Sequence, residues 1–525
     1  NLANSTLRNI RLWDPQPLLA TNRQLQQLRV YYAFANASLD RYRLDPSTNE
    51  KQQVIISARE IDQEKLPDSS KSWLNKHFIF THGYGFTVSP VNTKGSDGLP
   101  EYFISDLGKS TKLEGSESLN ITKFQISQSI PIGNAAIYFG TYRTPYAIAP
   151  TKLEELDYPE GDKNIFNHYS GYGGIPLNTL YNRIIASINL IEPRLLNTGV
   201  LTSESRLLIR RNIKKRINHL APFIDLIGDP YFISTKINND PTGKFNKQQY
   251  QYWIVEGYTK SSTYPYSSII SDDYNTRYIR NSVKIVIDAY NGSVNFFINE
   301  SNDPIINGWK RIFPTLFHDL SEMPESIKEH LKVPTDLFNF QVQHLLKYHV
   351  TDVRTFYNGD DIWQVPQELY GKRQVPVKPY HVTAQLTPNS KSEFLLLQPF
   401  SPLARPNLSG WLAARSDDNN YGELILLRFP SESNIFGPEQ IQALINQDPN
   451  ISQQFSLWDR AGSEVIQGNL LVLPFGRSLI YVEPVYLKST NGGLPTLTRV
   501  VVSDGKKIAM AVDLKTAIAK LLDLN

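Results

Sequence analysis

The sequence predicts a multi-lobed α+β fold in which antiparallel β units carry helical insertions. Three observations predict it. Strand-like runs come in blocks and helix-like runs in other blocks, where a wound parallel sheet would alternate them. Asn291-Gly292 lies between two β-branched runs; it is the favoured pair for a two-residue type I′ turn, which needs positive φ at both positions. Finally, the stretches Val88–Asp106 and Gly468–Asp504 echo each other. Val88, Pro90, Val91, Lys94, Gly98, Leu99 and Pro100 align with Val482, Pro484, Val485, Lys488, Gly493, Leu494 and Pro495 after one insertion. The echo predicts a β-unit pseudo-repeat, with related strand-loop-strand shapes at the two ends.

The elements follow in order. Residues 1–150 read as an N-terminal β-rich lobe, with short aromatic or β-branched runs at Arg29–Phe34, Val54–Ala58 and Ala136–Tyr142. Residues 151–225 read as a helical segment with a basic helix. Ser203 is its expected N-cap, Glu204 lies in its first turn, and Ile209, Ile213, Ile217 and Leu220 share one face. That helix carries Arg206, Arg210, Arg211, Lys214, Lys215 and Arg216 with no acid among them. Such a run is either a solvated face or a surface on which Arg210, Arg211, Lys214 and Lys215 meet lipid headgroups or an anion.

Residues 226–380 read as an α+β middle lobe holding the 283–299 hairpin. Pro334-Thr335 then opens a helix with Phe338, Val342 and Leu345 on one face. Residues 381–525 form a C-terminal α+β lobe that begins with strands up to about 430. Gly437-Pro438 opens a helix with Ile441, Leu444 and Ile445 inward, closed before Pro449. The last helix is capped by Asp513, with Leu514, Ala517, Ile518 and Leu521 inward.

Composition narrows the function classes. A chain of 525 residues, 40% apolar and 20% charged, can bury a real core. A formal charge of +3 is nearly neutral at this size, so nucleic acid is not an implied partner. The absence of Cys excludes disulfides, thiolate metal ligands and Cys nucleophiles. No run reaches the roughly 18–20 apolar residues needed to span a bilayer. The opening at Asn1 reads as a soluble piece of a longer protein.

Several familiar motifs fail on their spacing. Gly108-Lys109-Ser110 ends like a phosphate loop, but Phe103 stands where its first glycine is required. Gly83-Tyr84-Gly85 and Gly171-Tyr172-Gly173-Gly174 lack the third glycine of a dinucleotide loop. No G-x-S-x-G elbow exists, and His344 and His349 are five apart, which puts them on different helix faces. Asn4, Asn36 and Asn120 open glycosylation sequons.

Three polar groupings remain as candidates. His82 and Tyr84 lie in a glycine-flanked turn, where a lone histidine serves as hydrogen-bonder or proton carrier. His349 and Asp352 precede Asp360-Asp361, a loop rich in Asn, Asp and Gly. Such residues either form turns or ligate calcium, although the spacing is not that of an EF-hand. Adjacent carboxylates point apart, which favours turn and capping roles here, with Trp363 packed behind them. Arg415 and Asp417 open a third turn of the same character. No cofactor is identified, and the metal question stays open at this point.

Five stretches carry a resemblance: THGYGFTVSPVN from Thr81, YIRNSVKIVIDAYNGSV from Tyr278, YHVTDVRTFYNGDDIW from Tyr348, NQDPNISQQFSLWDRAGSEVIQGNLLVLP from Asn446 and YVEPVYL from Tyr481. Together, from Leu12-Trp13-Asp14 to the last strands, they resemble the prokaryotic membrane-protein family called uncharacterised protein family 0182. The resemblance implies several transmembrane helices before a large soluble part, with this chain matching the soluble part. It also implies anchoring to a membrane and a position on its outer side: periplasm, cell exterior or thylakoid lumen. It carries over no catalytic residue.

These readings lead to one expected function and two rivals. The expectation is an extracytoplasmic binding or assembly module, meeting a protein partner or a second copy of itself. One rival is an enzyme acting on an envelope or lipid component, with His82 or Asp360-Asp361 at its site; the other is the cargo-receiving lobe of a transporter. An enzyme needs a cavity where His and carboxylates converge, whereas a module needs an exposed apolar face.

Overall fold

The computed structural model describes residues 8–45, 47–48, 50–107, 118–270, 275–386, 391–403, 405–430, 434–460, 462–475 and 478–523. It is an α+β fold built on four main sheets. The first runs in chain order through Ser38–Tyr42, Gln52–Ala58, Phe86–Pro90, Ile104–Ser105 and Asn120–Ile121, all antiparallel. The second centres on the long strands Gln251–Ser261 and Tyr278–Asp288. The third centres on Glu393–Pro402, and the fourth on Ser478–Ser489. Among the described residues, no helix is long and apolar enough to cross a membrane.

The cores tie these sheets together across the lobe bounds drawn at 150 and 380. Successive strand side chains point to opposite faces. Thus Val54, Ile56 and Ala58 join one apolar cluster that reaches Phe296 and Phe317, while Ile55 joins another that reaches Val482 and Leu521. The N-terminal segment packs on the C-terminal sheet as well: Tyr486 donates to the Leu12 carbonyl at 2.7 Å, and Trp13 lies against the Tyr486 ring.

Three helices form where local signals put them. Helix Thr335–Tyr348 follows Pro334 and buries Phe338 and Val342. Helix Pro438–Gln447 buries Ile441 and Ile445. The Asp513 carboxylate accepts from the Thr516 amide at 2.8 Å, and helix Leu514–Asp523 buries Leu514, Ala517 and Leu521.

The basic helix is shorter than its periodicity suggests. It spans Ile213–Leu220 and is capped by Asn212, whose side chain accepts from the Lys215 amide. Ser203 caps nothing there. Arg206–Leu208 is instead a strand between Ala147–Ala149 and Ile175–Pro176, and Arg210 has a φ of 53°, outside any right-handed helix. Sheet pairing on both sides satisfies the backbone that a longer helix would have bonded internally.

The hairpin forms with a different turn. Strands Tyr278–Asp288 and Val294–Ile298 pair in antiparallel register, with Ile287 opposite Val294. Only Gly292 takes a positive φ, of 71°, and Asn291 does not. The reason lies in Asp288, whose carboxylate accepts from the amides of Tyr290 and Asn291 at 2.8 and 2.9 Å. That local ring holds Tyr290 and Asn291 and lengthens the loop, leaving the left-handed step to glycine. A Cβ at Gly292 would lie 2.5 Å from the Phe139 ring. Gly292→Ala is therefore expected to cost about 2 kcal/mol or more, read as a lower urea midpoint; an unchanged midpoint would show that the turn relaxes freely.

The two echoing stretches do not share a shape. Phe86–Pro90 and Ile104–Ser105 meet at the single pair Val88 and Ile104, whereas Ser478–Ser489 and Thr496–Ser503 form a long hairpin. They touch instead. Leu497 donates its amide to the Gly98 carbonyl at 2.8 Å, and the Lys94 ammonium donates to the Leu497 carbonyl at 2.7 Å. The earlier loop extends the edge of the later hairpin, so the structure contains no pseudo-repeat there.

Candidate functional site

The structure disperses most of the residues selected from sequence. His82 is buried at 2% exposure between strands. Its Nε2 lies 3.1 Å from Asp157 Oδ1 and its Nδ1 2.9 Å from Thr81 Oγ1, while the Tyr138 hydroxyl donates to Glu155 at 2.8 Å. Burial depresses the imidazole, but hydrogen bonds to Asp157 and Glu155 more than reverse this and hold His82 above its ordinary range. Tyr84 is also buried, its ring tilted against that of Tyr158 with centroids 4.7 Å apart. This is an internal cluster that locks residues 81–84 to strand Glu155–Glu160.

The basic residues part company too. Arg211 is buried at 1% exposure; it donates to the carbonyls of Tyr138, Pro145 and Thr81, and burial pushes its guanidinium down to about 10. It cannot meet lipid or an external anion. Lys214 donates to the Gly228 carbonyl at 2.7 Å. Arg210 and Lys215 are exposed. The glycines at 171–174 serve close packing: a Cβ on Gly173 would lie 2.2 Å from the Asn291 carbonyl oxygen. Gly108-Lys109-Ser110 and Asn4 lie outside the described residues.

Asp352 caps helix Val353–Asn358, accepting from the Thr355 amide at 2.8 Å. The His349 ring stacks on Trp363 with centroids 3.7 Å apart, and its Nε2 lies 3.7 Å from Asp361 Oδ2. Asp360 accepts from the Asn358 amide group at 3.3 Å, beside Gly359 at a φ of 71°. Asp360, Asp361, Arg405 and Arg428 line a cleft of about 560 Å³ with Trp363 at its floor. Among the described residues, no three His, Asp or Glu side chains converge to hold a metal ion.

Asp417 is the one sequence candidate inside a larger charged junction. Its Oδ1 takes the Arg41 Nε at 3.1 Å and the Lys51 Nζ at 2.9 Å, and its Oδ2 accepts from the Phe394 amide at 2.7 Å. Burial raises this carboxyl, but Arg41 and Lys51 overcome that and hold it below its ordinary value. Arg41 is 2% exposed; it also donates to the carbonyls of Leu331 and Ser416 and lies over the Phe394 ring. Asp40 takes His330 at 2.9 Å. Arg415 stands at the rim, paired with Glu393 and Glu423.

Two hollows flank this junction. One, of about 550 Å³, is lined by Arg41, Lys51, Thr383, Lys391, Phe394 and Asp417. The other, of about 330 Å³, is lined by Tyr231, Glu256, Lys332, Asp336 and His381. Burial pushes the Lys332 ammonium down to about 8; Asp40 and Glu256 oppose the shift and Arg41 adds to it. Burial likewise pushes His381 well down, with Lys332 adding to the effect. No local sequence signal pointed to Arg41, His330, Lys332 or His381: the first three find partners hundreds of residues away, and His381 meets Phe394 only through the pairing of two strands.

A second feature is a surface. Helix Leu180–Leu190 is capped by Thr179 and buries only Ala186 and Ser187 fully, the small members of its sequence. Most of its large apolar residues face outward: Leu180, Tyr181, Ile184, Ile185 and Ile188 are all exposed, as is Ile191 just past its end at 89%, while Leu190 packs inward. The helix contains Arg183 and no acid; Glu192 and Arg194 follow and pair with each other at 2.6 Å. The signal is legible as an apolar run with helical period, and among the described residues nothing covers it.

The family described as Uncharacterised protein family (UPF0182) matches residues 1–458. A UPF0182 protein of Prochlorococcus marinus (strain MIT 9303) is 65% identical over 519 residues, 99% of this chain and 54% of that protein. Another from Synechococcus sp. (strain CC9311) is 62% identical over 518 residues, 99% of this chain and 55% of that protein. One from Microcystis aeruginosa (strain NIES-843 / IAM M-2473) is 47% identical over 525 residues, 98% of this chain and 54% of that protein. The chain thus spans about half the length of the curated relatives it matches. No solved structure matches it.

Proposed function

This chain belongs to the uncharacterised protein family UPF0182, and from that premise we propose that it is a docking module, on the extracytoplasmic side, of a membrane-anchored protein. The observation that carries this reading is helix Leu180–Leu190, which turns most of its large apolar residues outward and its small ones inward. Burying an apolar side chain is worth roughly 1.5–3 kcal/mol relative to exposing it, so six exposed together favour contact with an apolar phase. Arg183 lies within the stripe, and Arg194 just past it pairs with Glu192 at 2.6 Å, which leaves a net positive charge of one there and suits anionic headgroups. The proposed occupant is therefore a lipid surface, which the longer protein would hold nearby.

The test is flotation of the chain with vesicles of phosphatidylcholine alone and of phosphatidylcholine with phosphatidylglycerol. The expected result is binding that strengthens with the anionic lipid and falls at least tenfold in an Ile184→Asp, Ile188→Asp variant. Both positions are exposed, so the variant is expected to keep the parent's thermal midpoint. Equal flotation of variant and parent, or none by the parent on either vesicle, would sink the lipid reading. A parent that dimerises in solution while the variant stays monomeric would assign the stripe to a second copy instead.

A further inference from the structure

The cavity at Lys332 has chemistry of its own. Lys332 is partly buried, and among the described residues it makes no ion pair, since no carboxylate oxygen lies within 4.0 Å of its Nζ. That nitrogen donates to the Leu39 carbonyl at 2.9 Å and sits 4.1 Å from the centre of the Tyr231 ring. One carbonyl and one aromatic face leave the rest of the amine to the cavity. The other candidate cation nearby, Lys284, is different: it is fully buried and bonded to Glu256 at 2.6 Å.

His381 lines the same cavity, stacked on Phe394 with centroids 4.8 Å apart. Its Nε2 is buried and has no hydrogen-bond partner, which is uncommon for a buried ring nitrogen. The remaining charged groups around the amine are Asp40, Arg41, Glu256, Asp229 and Asp336. Acids on the cavity wall disfavour an anionic ligand, and a neutral electrophile meets no such penalty.

We propose that Lys332 is a nucleophilic amine and that its cavity binds a small, uncharged aldehyde or ketone as an imine. The neutral Nζ attacks the carbonyl carbon, forming an N–C bond while the carbonyl π pair moves to oxygen, which takes a proton as the nitrogen gives one up. The carbinolamine hydroxyl takes a second proton and leaves as water, and the nitrogen lone pair closes the C=N bond as the last N–H proton is given up, balancing the proton taken. One amine and one carbonyl compound give one imine and one water, with no oxidant or reductant. His381 is a positioning and proton-carrying residue in this scheme, through its free Nε2. Burial makes the Lys332 ammonium more acidic and so supplies neutral amine near pH 8, as a nucleophilic lysine requires.

The test uses the chain as it stands, with propanal as probe and cyanoborohydride to trap imines. Digestion and mass mapping then give the labelling rate of each lysine. Lys332 is expected to label at least tenfold faster at pH 7.5 than the exposed Lys372, with a pH midpoint near 8. Lys332→Arg is expected to abolish that fast site alone, and His381→Asn to slow it severalfold with its pH midpoint kept. If Lys332 in the parent labels no faster than Lys372, or titrates with ordinary lysines, the proposal fails. That comparison needs no variant to fold.

Discussion

Replacing Arg41 by methionine is expected to destabilise the protein by about 4 kcal/mol. Arg41 is 2% exposed and bonds Asp417 together with the carbonyls of Leu331 and Ser416, joining the first sheet to two distant loops. Removing one member of a buried ion pair strands the other without its desolvation being offset. Here Asp417 would keep Lys51 alone, and Asp40 would keep His330. The measurement is the urea midpoint of Arg41→Met, of Asp417→Asn and of the double variant. The double variant is expected to lose less than the sum of the singles, because the two share one interaction. A loss below about 1 kcal/mol for Arg41→Met would mark the junction as peripheral to stability.

The second large effect is expected from pH. Glu60, Glu368 and Glu483 are each pushed up to about 7, first by burial, with hydrogen bonds opposing the shift. Glu483 accepts from Gln442 and Gln467, both at 2.8 Å, and Glu368 from Asn469 and the Leu470 amide. A carboxyl raised in the folded state holds its proton more tightly there than when unfolded. Its contribution is full below the unfolded value of 4.5 and is lost as pH rises through about 7. Each such group is worth on the order of 2–3 kcal/mol. Asp40 and Asp417, held low, act oppositely: their stability is present above 3.8 and lost as pH falls through their folded values. Stability is therefore expected to peak in mildly acidic solution, with the urea midpoint clearly higher at pH 5.5 than at 8.5. Glu368→Gln with Glu483→Gln is expected to flatten that slope, and a flat parent profile over the same range would contradict the assignment.

The residues that were readable in advance share one property: their determinants lie within a few positions. Pro334 before Thr335, Pro438 after Gly437 and Asp513 before Thr516 fix helix starts through φ and through single hydrogen bonds to near amides. The Asn291-Gly292 hairpin was readable for the same reason, although its turn type was not, because Asp288 competes for the turn amides. Helix Leu180–Leu190 falls within the segment read as helical at 151–225, but its outward apolar face was not read there.

The sequence by itself thus determined the α+β class, the family, and the caps and turns whose energies are local. Tertiary structure alone decided which charges are buried and with whom. Arg41 meets Asp417 across 376 positions and His330 meets Asp40 across 290. Ile209 and Ile213 kept a helical period, yet the strand Arg206–Leu208 formed because two neighbours were there to pair with it. Periodicity reports which face is apolar. It does not say what that face will meet, and burial of a charge depends on nothing else.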